Sequence, residues 1–159
     1  MLNLVARIPD CPLARTVGQI GQWWTLEILH ETFDGHTSFA AIQENLGLPT
    51  EVLTERLAAL VDTGILEPHG DQGGISRTEY LPTVLGCSLR PILLVMAAWG
   101  NHRLEPDQRS LILVDVTTGE EAEPVVVDRA TGRRVDTTGY AFTAGPAASE
   151  ALRARYRKR

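Results

Sequence analysis

The chain has 159 residues, 43% hydrophobic and 22% charged, with a formal net charge of −5. That length suits one globular domain with room for an appendage, able to bury roughly two thirds of its unfolded surface without a disulfide scaffold. Cys11 and Cys87 are too few for a zinc cluster, no apolar run approaches the ~20 residues of a membrane span, and the opening MLNLVARIPDCP lacks a signal-peptide core, so a soluble, cytoplasmic protein with no membrane partner is expected.

Pro12 opens the first periodic segment, and Leu13, Val17 and Ile20 recur at helical spacing, which predicts a short helix over residues 12–20. A second helix is expected from about Trp23 to Phe33, stopped by Asp34-Gly35. Thr37-Ser38 offers an N-cap for a third helix that closes at Gly47. Pro49-Thr50-Glu51 opens a fourth, in which Leu53, Leu57, Leu60 and Val61 fit the i, i+4, i+7, i+8 template up to Gly64. Ile65–Glu67 and Thr78–Leu81 read as a β-hairpin around the glycine-rich residues 70–74. One long helix is expected over residues 85–103, with Leu89, Ile92, Leu93, Met96 and Trp99 on a single apolar face that a second subunit would cover.

Beyond Pro106 the pattern turns strand-like at residues 110–116 and 124–128, with turn signals at Thr117-Thr118-Gly119 and Ala130-Thr131-Gly132. The expected class is mainly α with small β (α+β), a winged helix-turn-helix plus a small antiparallel β appendage. Residues 1–104 form the winged helix-turn-helix and dimerisation domain, 105–145 the appendage, and 146–159 a basic tail. Charge follows this plan. Residues 30–84 carry two arginines against nine carboxylates, and residues 145–159 carry five basic residues against one acidic.

Cys11-Pro12-Leu13, the run from Ile20 to Leu29, the run from Thr50 to Leu57 with Leu60, Gly64, Ile65 and Leu66, and Ala98-Trp99-Gly100 together resemble the HxlR-type transcriptional regulators, relatives of the MarR group. The resemblance implies a homodimer that binds double-stranded DNA, with dimer contacts in the first and last helices (Leu13, Val17, Leu89, Ile92, Leu93, Met96 and Trp99) and the helix from Thr50 in the major groove. It also implies a wing around residues 69–77 lying along the backbone or minor groove. The sequence departs from the family where Trp23 replaces a basic residue and where acids stand at both Glu51 and Glu55. The appendage is similar to a two-knuckle zinc-ribbon-like extension of longer relatives, but with no cysteine in it no metal site is expected.

Hydroxyls of Thr37, Ser38, Thr50 and Thr54 suit phosphates, although Ser38 and Thr50 also suit plain capping. Glu51 can accept from cytosine N4 or lie on a solvated acidic face. Arg56 faces DNA or pairs with a neighbouring carboxylate, and Arg77 on the wing suits phosphate or the minor groove. Cys11 sits at a helix N-terminus, where the dipole favours the reactive thiolate. The resemblance implies redox sensing there, against the plainer reading of a half-buried structural thiol. Trp23, Trp24 and Trp99 line either an interfacial pocket for a small-molecule effector or ordinary packing. With no nucleophile elbow, phosphate loop, cofactor motif or metal-ligand spacing, an enzyme is not expected. The rival function is a winged-helix module for proteins or small molecules that has lost DNA binding to its acidic charge.

Overall fold

The computed structural model describes residues 11–70 and 77–156. Contacts divide the chain into two compact units, one built from Trp23–Pro124 and the other from Met1–Gln22 with Val125–Arg159.

In the larger unit, α2 (Thr25–Phe33) is followed by α3 (Phe39–Leu46) and α4 (Thr50–Asp62). The second helix starts two residues later than its apolar pattern suggested, because Trp24 takes a left-handed conformation (φ +70°) as the N-cap. A bulky side chain there stores about 1–3 kcal/mol of strain that the surrounding packing must hold. Ser38 caps α3 by accepting a hydrogen bond from the Ala41 N–H at 3.2 Å. Gly47, at φ +61°, ends that helix in the conformation glycine adopts without a Cβ penalty.

The core lies where these helices cross. Ile28 and Leu29 of α2, Phe39 and Ile42 of α3, and Leu53, Leu57 and Leu60 of α4 are all buried, with Leu48, Ile65 and Leu66 closing the set. Each such side chain stabilises the fold by about 1.5–3 kcal/mol through burial. Strands β1 (Leu66–His69) and β2 (Glu79–Pro82) pair antiparallel, Leu66 opposite Pro82 and His69 opposite Glu79. The chain entering α3 is tied to the hairpin, since Tyr80 N–H donates to the Thr37 carbonyl at 2.7 Å and Phe39 N–H to the Thr78 carbonyl at 3.1 Å. The winged helix-turn-helix is therefore as expected, with its hairpin fixed directly to the helix pair.

The single long helix expected over residues 85–103 is instead two, α5 (Val84–Cys87) and α6 (Arg90–Asn101). Pro91 explains the break: it has no N–H for the Cys87 carbonyl, and its ring crowds that carbonyl. The chain passes through tighter i→i−3 bonds, Leu89 N–H to Gly86 and Ile92 N–H to Leu89, before α6 begins. Thr83 locks α5 in place, accepting from Gly86 N–H at 3.0 Å and donating to the Gly64 carbonyl at 2.6 Å. Gly86 has to be glycine, because a Cβ there would lie 2.1 Å from the Ile65 carbonyl oxygen.

After α6 and one 3-10 turn at Pro106–Gln108, the strand-like stretches form no continuous strands among the described residues. The antiparallel appendage is reduced to two tight turns, each closed by one bridge, Val114 to Glu121 and Val127 to Arg134. The turns share the pattern Asp-x-x-Thr-Gly, at Asp115–Gly119 and Asp128–Gly132. In the first, Asp115 Oδ1 accepts from Thr117 N–H at 2.7 Å, and Gly119, at φ +75°, donates to the Asp115 carbonyl. In the second, which lies in the smaller unit, Asp128 Oδ1 accepts from Ala130 N–H and Oδ2 from the Thr131 hydroxyl, with Gly132 at φ +68°. No packed face holds these segments, since Leu111, Val125 and Val127 are exposed. Local hydrogen bonds hold the turns. The smaller unit also contains α1 (Pro12–Ile20) and the short α7 (Glu150–Tyr156).

Candidate nucleic-acid interface

The leading end of α4 projects two exposed residues, Thr50 and Glu51, because Leu53, Leu57 and Leu60 pin the opposite side of the helix in the core. A brace that the sequence did not reveal sets this end. The Gln43 side-chain amide on α3 donates to the Leu48 carbonyl at 3.2 Å and to the Thr50 hydroxyl oxygen at 2.9 Å, spanning the turn between the helices. The only sequence signal is a polar residue with one acceptor and two donors in the last turn before a Gly-Leu-Pro connection. Thr50 accepts in this arrangement, so its own proton is free to donate outward.

Thr54 differs from the expectation of a phosphate donor. Its hydroxyl proton is spent on the Thr50 carbonyl at 2.7 Å, which leaves it only accepting capacity. Ser38 accepts from its own helix and keeps its proton, and Thr37 is half-buried, with its carbonyl held by β2. Glu51 has no ion pair among the described residues and sits in the first turn of α4, where a negative charge is favoured by the helix dipole. The Arg56 guanidinium bonds Glu55, and its side chain is only 18% exposed. Arg77 is exposed at the base of the wing, while residues 71–76 of the expected wing tip lie outside the described residues.

Behind the interface, Glu31 Oε2 of α2 meets His36 Nδ1 at 2.8 Å and accepts from the Asn45 amide at 2.6 Å, joining α2, the following turn and α3. Tyr80, on β2 beside the entry to α3, has its phenol pushed above its ordinary value by burial.

The proposed dimer stripes are exposed on each unit by itself. On α1, Leu13 and Val17 are each 64% exposed. On α6, Ile92, Met96 and Trp99 are exposed, whereas Leu89 and Leu93 are half-buried. At about 100° per residue, Leu93 points about 100° from Ile92 and about 120° from Trp99, on the other flank of Met96. It joins Leu94, Ala97 and Phe33 along an open groove of about 620 Å3. None of the three tryptophans lines that groove. Cys11 is the N-cap of α1 and half-buried; Cys87, at the end of α5, is exposed, and both are free thiols. No group of His, Cys, Asp and Glu suited to a metal ion occurs among the described residues.

Comparison with known proteins agrees with this geometry. Residues 19–108 match the family profile described as HxlR-like helix-turn-helix. A helix-turn-helix-type transcriptional regulator of Mycobacterium tuberculosis is 30% identical over 145 residues, covering 91% of this chain and 92% of the relative. Among solved structures, PA1607, described as a candidate transcription factor, superposes with a TM-score of 0.74 at 29% identity, over 86% of this chain and 96% of its own. A second candidate transcription factor, from Pseudomonas aeruginosa, gives 0.65 at 34% identity, over 91% and 99%. The redox regulator HypR in its oxidised form gives 0.53 at 27% identity, covering 60% of this chain and 99% of its own.

Proposed function

The chain belongs to the HxlR-like helix-turn-helix family of transcriptional regulators, and from that premise we propose that it is a homodimeric, sequence-specific regulator of double-stranded operator DNA, acting in the cytoplasm and not as an enzyme. The observation that carries the reading is the outward end of α4, where Thr50 and Glu51 are exposed beside a hairpin fixed to the same helix pair. Inserted into a major groove, the Thr50 hydroxyl donates to a base edge or phosphate, and Glu51 accepts from cytosine N4. Thr37, Ser38 and Arg77 face phosphates, Thr54 only accepts, and Arg56 positions Glu55 rather than DNA.

Leu13 and Val17 on α1, and Leu89, Ile92, Leu93, Met96 and Trp99 on α6, are the proposed contacts with a second copy. Burying such stripes is the natural fate of exposed apolar faces this large. Two copies then present their α4 helices to half-sites about one helical turn, ~34–36 Å, apart. The signal enters through the Cys11 thiol or through a small-molecule effector, for which the groove beside α6 offers room. The likeness to a protein named as a redox regulator supports the thiol.

The test is a titration of labelled duplex from upstream of the protein's own gene, with a scrambled duplex as control. Preferential binding to the upstream duplex is expected, with T50A and E51A each losing about 1–3 kcal/mol of discrimination. No preference for any duplex, even at low salt, would favour the rival reading of a protein- or small-molecule-binding module, which the acidity of residues 30–84 also favours. For Cys11, mass spectrometry after mild peroxide treatment decides. An unmodified thiol at peroxide levels that release DNA removes it as the sensor.

A further inference from the structure

Charge is divided very unevenly between the two units. Residues 23–124 carry sixteen carboxylates against five arginines, a formal −11, whereas residues 125–159 carry eight basic residues against three acidic, a formal +5. The first range is the unit that holds the helix-turn-helix and hairpin, and the second belongs to the other unit. A winged helix so acidic repels phosphates, yet neutralising phosphates and releasing their counterions normally supplies a large share of affinity for DNA. A family member with this balance needs its positive charge from somewhere else in the chain.

The basic residues of 125–159 are in a state to provide it. Asp128 is consumed inside its own turn by the Thr131 hydroxyl and the Ala130 N–H, and Asp136 by Arg134. Arg129 on the same turn is exposed and has no ion pair among the described residues. Arg133, also exposed, lies 5.9 Å from the centre of the Tyr140 ring, a contact that orients the guanidinium without neutralising it. On α7, exposed Arg153 gives one N–H to the Pro146 carbonyl, and exposed Arg155 lies 6.0 Å from the Tyr156 ring. In both places an aromatic ring or a carbonyl, and among the described residues no carboxylate, meets the arginine, so its charge is available to a polyanion. Arg157, Lys158 and Arg159 extend the run in sequence, outside the described residues.

We propose that residues 125–156 are a phosphate-binding module for duplex DNA, in which Arg129 and Arg133 of the second Asp-x-x-Thr-Gly turn and Arg153 and Arg155 of α7 supply the attraction that the acidic winged helix lacks. The inference rests on the proposed function and divides its labour: α4 reads base edges, and the C-terminal module holds the backbone without reading sequence.

The experiment uses the full chain and fluorescence anisotropy on the upstream duplex and a scrambled duplex of equal length, across a range of salt concentrations. Three proteins are compared: wild type, the variant R129A/R133A/R153A/R155A, and the same four positions changed to lysine. With alanine, the slope of log affinity against log salt is expected to fall in magnitude by about 0.9 per lost phosphate contact. Affinity at low salt should drop at least tenfold on both duplexes alike, leaving the preference between them unchanged, and lysine should restore the slope. A wild type that binds the upstream duplex with a slope untouched by the four alanines overturns this inference and leaves the proposed function standing. A wild type that binds no duplex overturns the proposed function, and this inference with it. Light scattering closes the remaining route: if the alanine variant falls apart into monomers, the arginines serve the acidic surface of a second copy, and the module is not a DNA-binding one.

Discussion

The helix-turn-helix and the paired Asp-x-x-Thr-Gly turns are two different ways of holding a chain. Between α2 and β1, order comes from apolar side chains drawn from five segments, with Ile28, Leu29, Ile42 and Leu53 wholly out of solvent. In each Asp-x-x-Thr-Gly turn, order comes from one carboxylate, its neighbouring amides and a glycine at positive φ, while valines on either side stay exposed. The first kind of structure is cooperative, because removing one member opens a cavity that all the others line. The second is local: its bonds join residues no more than nine apart, and losing one leaves the rest of the molecule intact. A site that must hold a helix end in a fixed place is built on the first kind, and a surface element that only presents charge can be built on the second.

Substitutions separate the two regions in order of effect. Leu57→Ala in the middle of α4 is expected to destabilise the larger unit by about 2–5 kcal/mol, read as a cooperative loss in denaturant unfolding. A small change would mean that the core collapses onto the gap. Gly86→Ala would gain helix propensity in open space, yet here its methyl meets the Ile65 carbonyl, so a loss of about 1–3 kcal/mol is expected on melting, with α5 displaced from β1. Gln43→Ala leaves the core intact and costs only about 0.5–1.5 kcal/mol in stability. It should nevertheless weaken binding to the preferred duplex more than to a scrambled one, because it frees the end of α4; Gln43→Glu, which cannot donate to Leu48 and Thr50, should not rescue it.

Smaller still, Gly132→Ala forces an alanine to φ +68° and should cost about 1 kcal/mol within its own turn. That cost should appear as faster amide exchange at Ala130 and Thr131, with the unfolding midpoint of the larger unit unchanged. Acid gives the mildest probe. The Thr131 hydroxyl, then the Ala130 N–H, hold the Asp128 carboxyl below its ordinary value, and the Thr117 and Thr118 amides do the same for Asp115. A depressed carboxyl stabilises its turn above the unfolded value of about 3.9 and loses that contribution as pH falls through its lower folded value. Both turns should therefore loosen only in strong acid, and Thr131→Ala should raise the Asp128 midpoint in an NMR titration while leaving Asp115 where it was.

Much of the helix-turn-helix was legible because each signal was local and repeated. Ser38 before Phe39, Gly47 after Leu46, and the leucines of α4 at helical spacing mark their elements without help from the rest of the chain. Thr50 and Glu51 were legible as a helix start for the same reason. The break at Ser88-Leu89 was missed because apolar periodicity runs straight through it, and only the missing Pro91 N–H interrupts the bonding. The Gln43 brace was out of reach, since nothing in a single sequence distinguishes a glutamine that spans a turn from one facing water. Residues 110–116 looked like a strand because valine and leucine alternate there, but a strand needs a partner along its length, and this one has a partner only at Val114.

The order of elements from α2 to β2, the caps and glycines that bound them and the segregation of acidic from basic residues were all determined by the sequence itself, because each depends on neighbours within a few positions. Tertiary structure decided which hydroxyls remain free to donate and which arginine is already spent on a carboxylate. It also decided that residues 11–22 cluster with residues 125–156. Those outcomes depend on contacts between residues far apart in the chain, and such contacts exist only once the chain has folded.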